Sequence, residues 1–346
     1  MVGPAAQTPI FVGIDIGGTN IKLGLVNDAG QVVASRSIPT EQSRGAEDGC
    51  RRIGETVRQL IAESQVSSAH VVRAGLVSPG PIDVPRGRVL RPGNIPAWWD
   101  FPIRERASHH LGVPVTFNND ANAAAYGEFW RGAGERFQSM ILLTLGTGVG
   151  GGIIIGDMLI DGVHNCGGEC GHILVDPRDD APRDSLGKSG SLEAYCNALA
   201  LVARVRAAIV AGGNSTLASI HSADYEITPR IVAEAAEQGD ELAHGAIMET
   251  ARWLAIGIVS LVHTIDPDAV VLGGAMNFGG LASPLGREFI ERVRTEAHPR
   301  MLEPLRDTVK IEFATLGGDA GFVGSAGLAR LDYNKGTGPI TSITNS

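Results

Sequence analysis

The chain reads as an α/β protein built of two domains. Short β-rich runs alternate with longer helical patterns along nearly its whole length. A strand, glycine turn, strand unit occupies residues 10–40 and recurs over 140–162, so one core motif is present twice. A length of 346 residues exceeds what a single core organises.

The elements follow in order. Residues 10–16 (IFVGIDI) form a strand that breaks at Gly17-Gly18, and 21–26 resume it. Asn27-Asp28-Ala29-Gly30 is a turn, and 31–38 make a third strand. A helix is expected over 46–65, with Ile53, Val57, Leu60 and Ile61 on one face. A strand at 70–77 stops at Ser78-Pro79-Gly80-Pro81, and 81–100 is loop. Residues 113–117 form a strand, and Asn118-Asn119-Asp120 opens a helix with cap-type side chains. The pattern restarts with a strand at 140–145, a turn over 146–152 and strands at 153–155 and 158–160. Helices are expected at 192–211, 229–237, 241–264, 284–297 and 320–331, with strands at 269–272 and 309–314. The domain reading is a disordered segment 1–9, an α/β domain over 10–118, a larger α/β domain over 119–331 and a flexible tail over 332–346.

Composition limits the function. Apolar residues make up 43% and charged residues 19%, the balance of a soluble globular protein. The net charge of −9 argues against nucleic acid, which calls for a basic patch. It leaves nucleotides open, because backbone amides hold phosphate whatever the net charge. Four cysteines do not make a secreted disulfide framework. There is no leader pattern at the start and no apolar run near 18 residues, so a cytoplasmic protein without a membrane partner is expected.

Four motifs carry chemistry. In Asp15-Ile16-Gly17-Gly18-Thr19-Asn20-Ile21-Lys22, paired glycines let backbone N–H groups approach phosphate oxygens, and Thr19 and Asn20 add donors. Asp15, at the strand end, is placed to hold Mg²⁺ through water. Leu145–Gly152 contains G-x-G-x-x-G, but strands follow it rather than a helix, so a second phosphate hairpin fits and a dinucleotide site does not. Asp120 stands where a strand enters a helix and can accept a hydroxyl proton, although a helix cap has the same appearance. Gly168-Glu169-Cys170-Gly171-His172 sets a carboxylate and an imidazole around a glycine, suited to a polyol or to a metal.

DIGGTNIK, NNDANAAAYGE, LGTGVGGG, GGECGH and VLGGA together resemble the ROK (repressor, ORF, kinase) sugar kinases, and most of all their glucokinases, over about residues 10–331. That resemblance implies an actin-like ATPase (RNase H-like) fold with two α/β domains around a cleft. It implies ATP phosphates on Gly17, Gly18, Thr19, Asn20 and Lys22 and on Gly146, Thr147 and Gly148. The nucleoside would lie near Gly273 and Gly274. Asp120 would be the base, and Asn119, Glu169, His172 and Glu193 would contact the hydroxyls of a hexose. Asn94-Ile95-Pro96-Ala97-Trp98-Trp99 resembles the glucokinase loop and brings Asn94 into the substrate set. Asp120 would take the hydroxyl proton as the oxygen attacks the γ-phosphate, while Mg²⁺ and the hairpin amides stabilise phosphoryl charge. A homodimer is also implied.

One segment departs from the family. Its members carry a structural zinc on the histidine corresponding to His172 and on three cysteines. Here those cysteine positions are Asp184, Leu186 and Ser191. Leucine and serine do not complete a tetrahedral zinc shell, so zinc is not expected and His172 is left to the sugar. Turns and surface pairs among Arg178, Asp179, Asp180, Arg183 and Asp184 are then expected to brace 173–192. A rival ligand set, His164, Cys166, Cys170 and His172, has zinc-type chemistry, against which stand two free thiols in a reducing cytoplasm. Competing functions are an N-acylhexosamine or other hexose kinase, a polyphosphate-using kinase, and a sugar-responsive repressor. The last is disfavoured because only nine residues precede the first strand, too few for a helix-turn-helix.

Overall fold

The computed structural model describes residues 8–219 and 226–336. Within them the chain forms two compact units. The first comprises 8–135, 161–167 and 316–336, and the second comprises 136–160, 168–219 and 226–315.

The sheet of the first unit contains β1 (Ile10–Ile16), β2 (Asn20–Asn27), β3 (Val32–Pro39), β4 (Val71–Ser78) and β5 (Val115–Asn119), in the order β3-β2-β1-β4-β5. The first three strands form an antiparallel meander, and β4 and β5 run parallel to β1. Both faces are covered, which is why β1 is apolar without alternation from Ile10 to Ile14, before Asp15. Ile10, Val12, Ile14 and Ile16 pack with residues of α1 (Gly45–Glu63) and α2 (Ile103–Leu111). Phe11 faces Phe322, Val323 and Ala326 of the last helix, α9 (Ala320–Asn334). That contact is unusually close. A Cβ on Gly13 would lie 1.8 Å from the Phe322 carbonyl oxygen. α3 (Asp120–Arg131) meets α9 in the same way, since a Cβ on Gly324 would lie 1.6 Å from the Ala123 carbonyl oxygen.

The second unit repeats the plan. Its strands are β6 (Ser139–Leu145), β7 (Val149–Ile155), β8 (Met158–Leu159), β9 (Ala269–Gly273) and β10 (Lys310–Phe313), in the order β8-β7-β6-β9-β10. Again the first pairs are antiparallel and the last two strands run parallel to the first. The duplication expected from the glycine turns is therefore present in strand order and direction. Four helices build the remaining core: α5 (Ala198–Val210), α6 (Pro229–Glu237), α7 (Glu241–Ile265) and α8 (Pro284–Ala297), with a one-turn α4 (Glu193–Cys196) before them. α7 is, among the described residues, the one helix long and apolar enough to cross a membrane. Its Ile247, Leu254, Ile258 and Val262 are buried in the core of this unit.

Several expectations change. The domain division at 118/119 falls inside the first unit, because α3 and α9 pack through glycines against each other and α9 against β1. α2 lies where no helix was expected, its apolar contribution being mainly Ile103 and Ala107. The second glycine turn is only 146–148, and Gly150, Gly151 and Gly152 are already in β7. Gly151 is glycine for another reason: a Cβ on it would lie 2.5 Å from the Gly168 carbonyl oxygen. The helix expected over 192–211 breaks at Asn197, whose side chain caps α5 by accepting from Ala200 N–H at 2.7 Å. Residues 1–7 and 337–346, most of the expected disordered start and flexible tail, lie outside the described residues. Of that tail, Asp332–Asn334 is still helix, with the Tyr333 ring edge-on to Phe11 at 5.8 Å.

Candidate active site

In the first unit the hairpin between β1 and β2 turns over Gly17-Gly18-Thr19, and the register sets Asp15 opposite Lys22. The turn's carbonyls are drawn away by a flanking polar segment. Thr40 donates from Oγ1 to the Gly17 carbonyl at 2.7 Å and from N–H to the Thr19 carbonyl at 2.8 Å. Gln42 Nε2 donates to the carbonyls of Gly18 at 3.0 Å and Asn94 at 2.9 Å. Engaged carbonyls matter because an oxygen pointing at a phosphate would repel it, whereas amides attract it. Gln42 also ties the hairpin to the loop at 94–99, whose Ile95 and Trp98 are buried and whose Asn94 and Trp99 are exposed. Neither Thr40 nor Gln42 was legible beforehand, since nothing in their spacing marks them.

Two carboxylates belong to this half. Asp15 lies against the start of α9, where a Cβ on Gly321 would be 2.3 Å from Asp15 Oδ2. Burial and then the charge of Asp120 push the Asp15 carboxyl up to about 7, with Lys22 pulling the other way. Lys22 itself donates to the Gly318 carbonyl at 2.6 Å. Asp120 is the first residue of α3, and its Oδ1 accepts from Ala121 N–H at 2.8 Å. The cap is Asn119, which accepts from Ala121 and Asn122 N–H at 2.8 and 3.3 Å. The capping alternative for Asp120 thus falls to its neighbour, and the Asn119 side-chain oxygen expected on the sugar is bound to backbone. The junction is anchored from outside the motif. Asp161 Oδ1 accepts from Asn118 Nδ2 at 3.2 Å and from Asn122 Nδ2 at 2.9 Å. Burial, helped by Asp332, raises the Asp161 carboxyl above its ordinary range.

In the second unit the hairpin Gly146-Thr147-Gly148 joins β6 to β7, with Thr147 exposed at its tip. Ala198 N–H, at the start of α5, donates to the Gly146 carbonyl at 2.8 Å. Gly273-Gly274 closes over the same place. Gly274 has φ +90°, and a Cβ on it would sit 2.2 Å from the Leu145 carbonyl oxygen. The two segments expected to serve one nucleotide are therefore neighbours within this unit. Glu193 is buried, and both its oxygens are engaged. Oε2 accepts from Val149 N–H at 3.0 Å, and Oε1 accepts from Ser185 Oγ at 2.5 Å and Ser185 N–H at 3.2 Å. Both oxygens of this residue, expected on the sugar, are thus held within the unit, one of them at the strand that leaves the 146–148 hairpin. Glu169 is exposed, its Oε2 3.9 Å from His172 Nε2.

The residues that the resemblance set against a zinc are joined by hydrogen bonds instead. His172 Nδ1 lies 3.0 Å from Asp184 Oδ2, which also accepts from Ser191 Oγ at 2.8 Å. Asp184 Oδ1 accepts from Leu186 and Lys188 N–H at 3.0 and 2.8 Å. These residues do not fit zinc: Leu186 offers no donor atom, and the carboxylate is already saturated. The expected brace of surface pairs is corrected accordingly, since Asp184 is buried and Arg178 pairs with Asp176 at 2.7 Å. In the rival set, Cys170 is buried whereas His164 and Cys166 are exposed. Among the described residues no group of three or more His, Cys, Asp or Glu side chains is placed to hold a metal.

Duplicated sheets with a phosphate-type hairpin at the head of each define the actin-like ATPase fold. The ROK family profile matches residues 11–331, and the chain belongs to that family. It is 33% identical to a glucokinase of Halalkalibacterium halodurans, over 94% of this chain and 96% of that protein. Among solved structures, it superposes on a ROK hexokinase from Thermus thermophilus with TM-score 0.79 at 31% identity, covering 94% of this chain and 99% of that one. It also superposes on a ROK glucokinase from Streptomyces griseus in complex with glucose and AMPPNP, with TM-score 0.71 at 34% identity, covering 93% and 99%.

Proposed function

We propose that the chain is a glucokinase, moving the γ-phosphate of ATP to the 6-hydroxyl of glucose with Asp120 as general base. Its class is that of the ATP-dependent sugar kinases. The observation that carries the finer reading is the carboxylate pair in the first unit. Asp120 stands at the head of α3 with Asn119 doing the capping, so its carboxylate is not required for the helix start. Its charge reaches Asp15, whose carboxyl it helps to raise. The glucokinase relatives and the loop at 94–99 support glucose.

Phosphoryl transfer depends on alignment and charge neutralisation more than on covalent chemistry. Asp120 removes the hydroxyl proton as the oxygen attacks. The Gly17–Thr19 and Gly146–Gly148 hairpins bind phosphate oxygens through their amides, with carbonyls held back by Thr40, Gln42 and Ala198. Gly273-Gly274 holds the nucleoside. Asp15 would hold Mg²⁺ through water, and its chemistry fits, because a desolvated carboxyl facing a second carboxylate gains most from a nearby cation. When bound, Mg²⁺ neutralises phosphate charge. The reading places the enzyme in the cytoplasm, where ATP is available.

A panel of glucose, mannose, fructose, N-acetylglucosamine and N-acetylmannosamine with Mg²⁺-ATP tests this. Glucose 6-phosphate is expected as the main product. Turnover only of an N-acylated sugar would overturn the substrate and keep the class.

A further inference from the structure

The turn from 184 to 191 is built around the buried carboxylate of Asp184. The Asp184 side chain is fully buried, whereas the His172 side chain is 30% exposed. Asp184 receives four donors: two backbone N–H groups on Oδ1, and the Ser191 hydroxyl and His172 Nδ1 on Oδ2. Two carboxylate oxygens offer about four lone-pair directions, so the group is saturated. Burial alone would raise its pKa, but the donors from Lys188, Ser191, His172 and Leu186 outweigh that and hold it below the ordinary value. Asp184 is therefore an acceptor only, and the proton shared with His172 sits on Nδ1.

This has a consequence at the other end of the ring. An imidazole whose proton is fixed on Nδ1 presents a bare lone pair at Nε2 when neutral. Nε2 lies 3.9 Å from the exposed Glu169 carboxylate, longer than a hydrogen bond. Two acceptors thus stand side by side, a pattern that matches two neighbouring hydroxyls of a sugar, each donating a proton.

We propose that Asp184 is a positioning residue: it fixes the orientation and the Nδ1–H tautomer of His172, so that Nε2 accepts a sugar hydroxyl, in place of the zinc that the family sets on this histidine. The proposal rests on the sugar-kinase reading for its ligand, though not for its geometry. Zinc is unsuited to the same residues, because binding it would break the His172 and Ser191 hydrogen bonds to Asp184 Oδ2 to recruit a set in which Leu186 contributes nothing. Asp184 orders the turn from 184 to 191 as well, so the test must separate orientation of the ring from simple bracing.

Long-range proton–nitrogen NMR on the ¹⁵N-histidine-labelled wild type reads the tautomer without substrate. The expected result is a proton on Nδ1 of His172; a proton on Nε2 overturns the proposal. Asp184→Asn should shift the tautomer and raise KM for glucose by about 3- to 10-fold, the worth of one net hydrogen bond, with KM for ATP unchanged. Ser191→Ala, which removes a different donor from the same oxygen, should leave the tautomer as it is. In a His172→Gln background Asp184→Asn should add nothing to KM for glucose. A full additional increase there would mean that Asp184 acts by bracing alone, and overturns the proposal, as does one equivalent of zinc in the purified protein. If Asp184→Asn does not fold, the wild-type nitrogen shifts and the zinc content still decide. If no hexose is phosphorylated, the kinase reading fails while the tautomer measurement still decides the role of Asp184.

Discussion

Asp15 shows what a residue gives up for a site. Its carboxyl is raised from 3.8 to about 7 by burial and then by Asp120. Between those two values the folded chain holds a proton that the unfolded chain has released, so stability falls as pH rises through that window and is level above it. Asp15→Asn removes this slope: the melting temperature of the variant should exceed that of the wild type at pH 8 and match it near pH 4. Activity moves the opposite way. A protonated Asp15 cannot accept from a Mg²⁺-bound water, so kcat/KM for Mg²⁺-ATP should fall as pH drops below about 7 in the wild type. The variant, slow at every pH, should show no inflection there. A wild-type profile flat between pH 5 and 8 would contradict this role. Single residues were the hardest scale to read from sequence. Asp15, Asp120 and the hairpin glycines stood out because their motifs are local. Thr40, Gln42, Asp161 and Ser185 did not, because their roles come from chain segments that only the fold brings together. Glu193 was visible, but its partners Val149 and Ser185 were not, so its bonding within the unit could not be inferred.

At the scale of elements, glycine does two jobs that look alike in sequence. In the turns 17–18 and 146–148 it lets the chain reverse and expose amides. In β7, and between α3 and α9, it lets backbones touch. The over-long turn expected at 146–152 came from merging the two, since Gly151 is packed under Gly168 rather than turned. Gly274 belongs to both classes, with positive φ and with the Leu145 carbonyl in the way of any Cβ. Gly274→Ala should therefore cost roughly 1–3 kcal/mol from the backbone conformation alone, and more if Leu145 cannot move. Because Leu145 leads into the second hairpin, KM for ATP should rise while glucose affinity holds. Chemical denaturation and initial-rate kinetics check the two halves; an unchanged unfolding midpoint would contradict the packing argument. Strong periodicity made α1, α6, α7 and α8 legible to within a residue or two. α2 was missed because it is largely polar, and the break at Asn197 was missed because a cap inside a helical pattern resembles a tolerated polar residue.

At the scale of the molecule, the two sheets repeat one order, and the paired glycine turns announced it. The domain boundary was not legible, because 161–167 and 316–336 join the first unit through contacts distant in sequence. The proposed reaction is phosphate transfer to glucose with Asp120 taking the proton. A single-turnover assay of wild type and Asp120→Asn, with saturating Mg²⁺-ATP and glucose and with glucose binding measured alongside, tests that claim most directly. The wild type should form glucose 6-phosphate, and the variant should bind glucose as well but form it about 10²–10⁴-fold more slowly. A variant that keeps more than roughly half of the wild-type rate would contradict the claim, because no general-base contribution is that small.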